Sequence, residues 1–149
     1  MKSLLFFLLS VHLLISGCNS NQSQKNKEFI IRYYQSISGQ TKTPELLSQF
    51  IKDTTLLKGI TSFDSSFPKY SMTADEMISE GNKVVVKATM RGQHDGVYNA
   101  IQPTRKNVET KMVLRYEIEN DKIVGFWAMS NPATILEQIQ SAKPVEGNK

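Results

Sequence analysis

The stretch Gly81-Asn82-Lys83-Val84-Val85-Val86-Lys87-Ala88-Thr89-Met90-Arg91-Gly92-Gln93-His94 decides the fold. Its alternate positions separate into Val84, Val86, Ala88, Met90 and His94 on one side, and Val85, Lys87, Thr89, Arg91 and Gln93 on the other. Successive side chains of a strand point to opposite faces, so the first set faces a core and the second faces solvent. Gly81-Asn82 suits a tight hairpin turn, which pairs this strand with one from about Met72 to Ser79. His94 then ends an otherwise apolar face, provided no bulge intervenes.

Two more strands follow, Val108 to Glu119 and Lys122 to Ser130, joined by Asn120-Asp121. The first presents Val108, Thr110, Met112, Leu114, Tyr116 and Ile118 on one face. The second carries Ile123, Gly125, Trp127, Met129 and Asn131 on one side and Val124, Phe126, Ala128 and Ser130 on the other. Both of its sides are fairly apolar, which predicts a central or doubly covered strand. An outer sheet face carrying Val124 and Phe126 is either a dimer surface or a scatter of ordinary surface apolar residues. Asn131-Pro132 then opens a last helix carrying Ile135, Leu136 and Ile139.

Toward the N-terminus the period becomes helical. Phe29, Ile30, Tyr33, Tyr34 and Ile37 define a first amphipathic helix, stopped at Gly39. Thr43-Pro44-Glu45 starts a second helix: a hydroxyl cap, proline at the first helical position, then an acid near the positive helix end. A third short helix is expected from about Thr61 to Phe67, ended by Pro68. Helices first, an antiparallel run of strands, then a helix make an α+β plan in a single domain. The 149 residues permit one domain and hardly two.

The first residues are of another kind. Lys2 precedes an apolar run from Leu4 to Ile15, and Ser16 and Gly17 lead to Cys18. A charged start, a short apolar stretch and a small-residue end are the layout of a secretory signal. Twelve helical residues reach about 18 Å, short of a bilayer core of about 30 Å. Ile15-Ser16-Gly17-Cys18 resembles the bacterial lipobox, whose cysteine becomes the lipidated first residue of the mature chain. The alternative is an ordinary signal peptide with an incidental cysteine. The division is then a signal peptide at 1–17, a flexible polar tether at 18–27, a domain at 28–143 and a tail at 144–149. Lipidation of Cys18 implies a bacterial envelope location, on the outer membrane or the outer face of the plasma membrane.

Four short segments resemble one family. Gly92-Gln93-His94-Asp95-Gly96 is similar to the G-x-H-x-G segment of SnoaL-like polyketide cyclases and ester cyclases. Ile101-Gln102-Pro103-Thr104-Arg105-Lys106 resembles their I-x-P-T-G-K loop, and Glu119-Asn120-Asp121-Lys122-Ile123 their E-D-G-K-I hairpin. Phe126-Trp127-Ala128-Met129-Ser130-Asn131 resembles their H-W-D-x-x-D strand end. The order and spacing agree, over about Glu28 to Gln140. The resemblance implies the nuclear transport factor 2-like cone, a curved antiparallel sheet wrapped around N-terminal helices and enclosing one pocket. It also implies polyketide cyclase-like chemistry from an aspartate at the last strand end. Asn131 stands there instead, and an amide exchanges no proton near neutral pH. The family residue beside the tryptophan is Ala128, the loop glycine is Arg105 and the hairpin glycine is Asp121.

The resemblance makes His94 the candidate acid/base, against a plain hydrogen-bonded histidine at a strand end. Asn131 is either a helix cap, a ligand contact, or both. Tyr33, Met112, Leu114, Tyr116, Trp127 and Met129 are the candidate pocket lining, with Tyr34 an alternative source of a helix hydroxyl. One cysteine excludes a disulfide framework and multi-cysteine metal sites. A net charge of +4, with no recognised basic-aromatic module, gives no reason to expect nucleic acid. No cofactor and no metal are expected. Three functions remain open: a lipid-anchored domain binding a small apolar or amphipathic ligand, a SnoaL-like cyclase, isomerase or hydrolase using His94, and a dimerising or partner-binding module.

Overall fold

The computed structural model describes residues 16–141. Its elements are α1 (Ser16–Ile37), α2 (Pro44–Ser48), α3 (Thr54–Ser66), β1 (Ser71–Glu80), β2 (Lys83–Gln93), β3 (Asn107–Glu119), β4 (Lys122–Ser130) and α4 (Pro132–Gln140). The strands form one antiparallel sheet in sequence order, β1-β2-β3-β4. The α+β plan holds, and the strand bounds lie within a residue or two of expectation. The expected signal peptide at 1–17 falls almost wholly outside the described residues, and the tail at 144–149 falls entirely outside them. No described helix is long and apolar enough to cross a membrane.

The helices depart from the sequence reading in two places. The stretch at 18–27, expected as a flexible tether, is helical, because α1 begins at Ser16. Side-chain amides bridge successive turns there, Gln22 to Asn26 and Gln24 to Glu28, each at 3.0 Å. Asn26 is buried and its amide donates to the Gly81 carbonyl at 2.9 Å, tying this polar segment to the β1–β2 turn. The third helix starts at Thr54, seven residues before the expected Thr61. Asp53 caps it, accepting from the Thr55 and Leu56 amides. α2 is capped as expected, with Thr43 accepting from the Leu46 amide.

Phe29, Ile30, Tyr33 and Ile37 of α1 meet Val84, Val86, Leu114 and Tyr116 of the sheet in the main core. A second cluster gathers Phe67, Tyr70, Met90, Val108, Ile135 and Ile139. Residue parity on β2 and β3 is as expected. On β4 it is not, because a bulge intervenes. Glu117 pairs with Gly125 but Ile118 pairs with Ile123, so Val124 is the extra residue. An inserted residue reverses the facing of everything beyond it. Ile123 faces inward, and so do Phe126 and Ala128, opposite Tyr116 and Leu114. Trp127 and Met129 face out, 47% and 60% exposed. β4 is also an edge strand, correcting the expectation of a central or doubly covered one.

Under the sheet, Lys42 is almost completely buried. Its ammonium donates to the Tyr70 carbonyl, stands 3.4 Å from Asp64 and lies 3.9 Å over the Tyr70 ring. Burial pushes its pKa down, and the Asp64 charge opposes that shift. Asp64 also accepts from the Lys42 and Lys69 amides. This cluster fixes Tyr70 where the chain passes from α3 into β1.

Candidate functional site

A cavity of about 490 Å³ lies between α1, α3 and the inner face of the sheet. From α1 it takes Tyr33, Tyr34 and Ile37, and from α3 Leu56, Ile60 and Phe63. The sheet contributes Met72, Met90, Met112, Leu114, Tyr116, Phe126 and Ala128, and Tyr70 closes one end. Thr55, Gly59 and Ala128 are its exposed lining residues and mark the mouth, between α3 and the edge strand β4. A volume of this order accommodates a small organic molecule. Three methionines in the wall add flexible, polarizable side chains that adjust to an irregular shape.

The polar part of the cavity is a group of tyrosines. The Tyr34 and Tyr116 hydroxyls are 3.0 Å apart and hydrogen-bonded, and both rings pack against Tyr33. Burial is the main cause raising the pKa of Tyr33, Tyr34, Tyr70 and Tyr116; neighbouring would-be phenolates add to it at Tyr33 and Tyr116, the Asp64 charge at Tyr70, and at Tyr34 the hydrogen bond with Tyr116 works against it. The four stay neutral across the physiological range. Each phenol both donates and accepts, so the Tyr34–Tyr116 pair uses one proton internally and keeps the other for a ligand oxygen. Among the described residues no lysine, arginine or histidine lines the cavity, and Asp53 is the one carboxylate that does. A carboxylate ligand would therefore enter without a counter-ion, which a low-dielectric site disfavours.

Of the expected lining, Tyr33, Met112, Leu114 and Tyr116 meet in the cavity. Trp127 and Met129 do not: the β4 bulge turns both to the outer face and puts Phe126 and Ala128 in their place. Phe63, Tyr70 and most of the α3 contribution were missed. Asp53 followed by Leu56, Leu57, Ile60 and Phe63 was the available signal, a cap and then apolar residues at helical spacing.

His94 is fully buried but does not line the cavity. It sits beside Phe67, ring centroids 5.4 Å apart, at the start of the loop between β2 and β3. The Thr104 amide donates to its Nδ1 at 3.3 Å, and the Thr104 hydroxyl lies 3.0 Å from the same atom. Nδ1 is thus an acceptor, and the neutral ring carries its proton on Nε2, which has no partner among the described residues. Burial lowers the His94 pKa, more than the adjacent Asp95 raises it. The His94 backbone bonds Lys106 and Arg105, at 2.9 and 3.0 Å, so residue and loop are clamped together. Its geometry is that of a loop fastener.

Asn131 caps α4, its side chain accepting from the Ala133 amide at 3.1 Å. It is exposed and outside the cavity. The glycines around His94 have packing reasons. A Cβ on Gly96 would lie 1.9 Å from the Ser65 carbonyl oxygen, and one on Gly92 would lie 3.1 Å from Tyr70 Cβ. Cys18 falls in the first turn of α1. No group of three or more potential metal ligands occurs among the described residues.

The comparisons with known proteins agree with this architecture. The chain superimposes on a putative polyketide cyclase from Acidithiobacillus ferrooxidans with a TM-score of 0.69 at 14% identity, covering 81% of this chain and 98% of that one. IdmH, a putative polyketide cyclase from Streptomyces antibioticus, gives 0.64 at 19% identity, covering 78% and 99%. AclR, a putative hydroxylase from Streptomyces galilaeus, gives 0.66 at 14%, covering 78% and 82%. At such identities these likenesses show the fold alone. No curated protein matches the sequence. The SnoaL-like polyketide cyclase family matches residues 54–139, more than half of the chain, from the first turn of α3 to the last turn of α4. The chain with the tyrosine-floored cavity belongs to that family.

Proposed function

We propose that this protein is a lipid-anchored bacterial envelope domain whose cavity binds a small, uncharged, largely apolar molecule. The cavity carries this reading: about 490 Å³, walled by aromatic, methionine and aliphatic side chains, with paired tyrosine hydroxyls as its buried polar feature. Two features make binding the better account than proton-transfer chemistry. Asn131 replaces the family aspartate and is occupied as a helix cap, and His94 is spent on its own loop. The anchor rests on the leader and on Ile15-Ser16-Gly17-Cys18.

Thermal denaturation with a library of neutral aromatic and lipid-like compounds tests the binding reading. A bound compound at about 100 times its Kd should stabilise the fold by about 2.7 kcal/mol. No shift with any compound, and no co-purified molecule in native mass spectrometry, would remove this reading. The anchor is tested separately. Cys18→Ser should abolish acylation and move the protein from the membrane to the soluble fraction, and a wild-type protein found soluble contradicts it.

A further inference from the structure

A second, smaller space of about 330 Å³ lies between α1 and the edge strand β1. Ile31, Gln35 and Ser38 line it from one stripe of α1, and Thr73 and Ala74 from β1. Tyr34 and Met72 line this groove and the main cavity alike, so one layer of side chains separates the two. These two partition residues are held unequally. Tyr34 is hydrogen-bonded to Tyr116 and packed against the Tyr33 and Tyr116 rings. Met72 is pinned at its backbone: the Ser38 hydroxyl donates to its carbonyl at 3.1 Å and accepts from its amide at 3.0 Å. Beyond that anchor its unbranched thioether side chain turns about three bonds, so it can swing while the strand stays in place.

We propose that the groove is a second subsite, which takes the hydrocarbon tail of a ligand whose uncharged head sits in the main cavity, with Met72 as the side chain that yields between them. This subsite rests on the cavity binding such a head, and it adds a chain to the ligand's chemistry. The head bonds the Tyr34–Tyr116 hydroxyl pair through a carbonyl or hydroxyl oxygen, and the chain runs past Met72 toward the open edge of the sheet. The groove itself selects a hydrocarbon occupant. Among the described residues no charged side chain lines it, so an ionic group would lose its water there without a partner. A docking peptide strand is disfavoured as well. Ser38 already occupies the Met72 backbone groups on the open edge, and the bulge between Ala74 and Glu76 breaks the repeat a further strand would follow. Ile31, 40% exposed, offers apolar surface that a passing chain would cover.

The test is isothermal titration of straight-chain alkyl phenyl ketones, with tails from ethyl to decyl, into the wild type, Ile31→Glu and Gln35→Trp. In the wild type, affinity should rise about fourfold with each added methylene through to the longest tails. Both variants alter exposed positions of the groove, one with a charge and one with bulk, and should keep the thermal transition. They should match the wild type with the short ketones and bind the longest about 16-fold or more weakly, two methylenes' worth. An affinity that stops rising at the same tail length in all three proteins overturns the subsite. So does a rise that both variants leave unchanged, since the tail would then leave by the mouth beside α3. In either case the short ketones still bind and the cavity reading stands. Binding by no ketone of any length removes the cavity reading, and the subsite with it.

Discussion

Arg105 holds a backbone φ of +60°, in the left-handed region, at the position where the resembled loop motif has glycine. Among the described residues its exposed side chain is held by one pairing, with Asp95, at 3.5 Å. A non-glycine residue costs about 1–2 kcal/mol in that conformation, while glycine adds entropy to the unfolded chain. Arg105→Gly should therefore stabilise the protein by about 0.5–1 kcal/mol, seen as a higher midpoint in urea. Asp121, at +55°, shows the same departure in the β3–β4 turn, where aspartate is better tolerated than arginine. Such substitutions alter strain and leave the backbone path unchanged, which is why the motif could be read through them.

His94 gives the second prediction at this scale. Its folded pKa lies below the ordinary 6.5, so the folded chain binds the proton less readily than the unfolded chain. Its contribution is complete above about pH 6.5 and is lost as the pH falls toward the folded value. Protonating Nδ1 also breaks the bond from the Thr104 amide. Urea midpoints measured between pH 7.5 and 5.5 should fall in the wild type. His94→Gln should flatten that part of the profile, since His12 in the leader is the only other histidine. An unchanged profile would mean the ring stays neutral for another reason or titrates elsewhere.

Among the elements, β4 was the hardest to read. Every residue type in it was consistent with a strand, and a strand it is. One extra residue at Val124 was enough to exchange its two faces. Gly125 was the available signal, since a lone glycine within a strand often marks a bulge, but it does not say which neighbour is the extra residue. The consequence is testable: Phe126→Ala should weaken binding of any cavity ligand, whereas Met129→Ala should leave its Kd unchanged, by isothermal titration. The opposite result would restore the alternation without a bulge. α4 is a simpler case. Asn131→Ala removes its cap and should cost about 1 kcal/mol in the denaturation free energy, with ligand affinity unaffected. The early turns of α3 were obscured by Thr54, Thr55 and Gly59, weak helix formers that Asp53 and the partly buried apolar face override. α1 differs again, since its polar first half is positioned through Asn26, a contact invisible in any periodicity.

For the whole molecule, the fold was legible because four motifs and the strand periods pointed to the same topology. The cavity was legible only in part. Tyr33, Met112, Leu114 and Tyr116 followed from facing. Whether inward side chains fill the space or leave it open depends on how far α3 stands from the sheet, and hydrophobic pattern carries no such distance. The buried Lys42 was not foreseen for a related reason. A lysine next to the Thr43 cap reads as solvent-facing until Asp64 and Tyr70 fold over it.

The Tyr34–Tyr116 hydrogen bond joins residues 82 positions apart, and Ile51 bridges to Ile123 across a similar span. The apolar face of α1 packs mainly on β1 and β2, with Phe29 and Tyr33 also against Phe50, but its Tyr34–Tyr116 contact closes only when β3 exists. At about 5–20 residues per second, synthesis leaves that hydroxyl pair incomplete for about 4–16 s after Tyr34 is made. A chain that emerges N-terminus first thus carries a helix with three aromatic residues whose cover is completed late. Truncation after Glu119 should leave a chain with no cooperative thermal transition by circular dichroism, because it removes Ile123, Ile135 and Ile139 from the two core clusters.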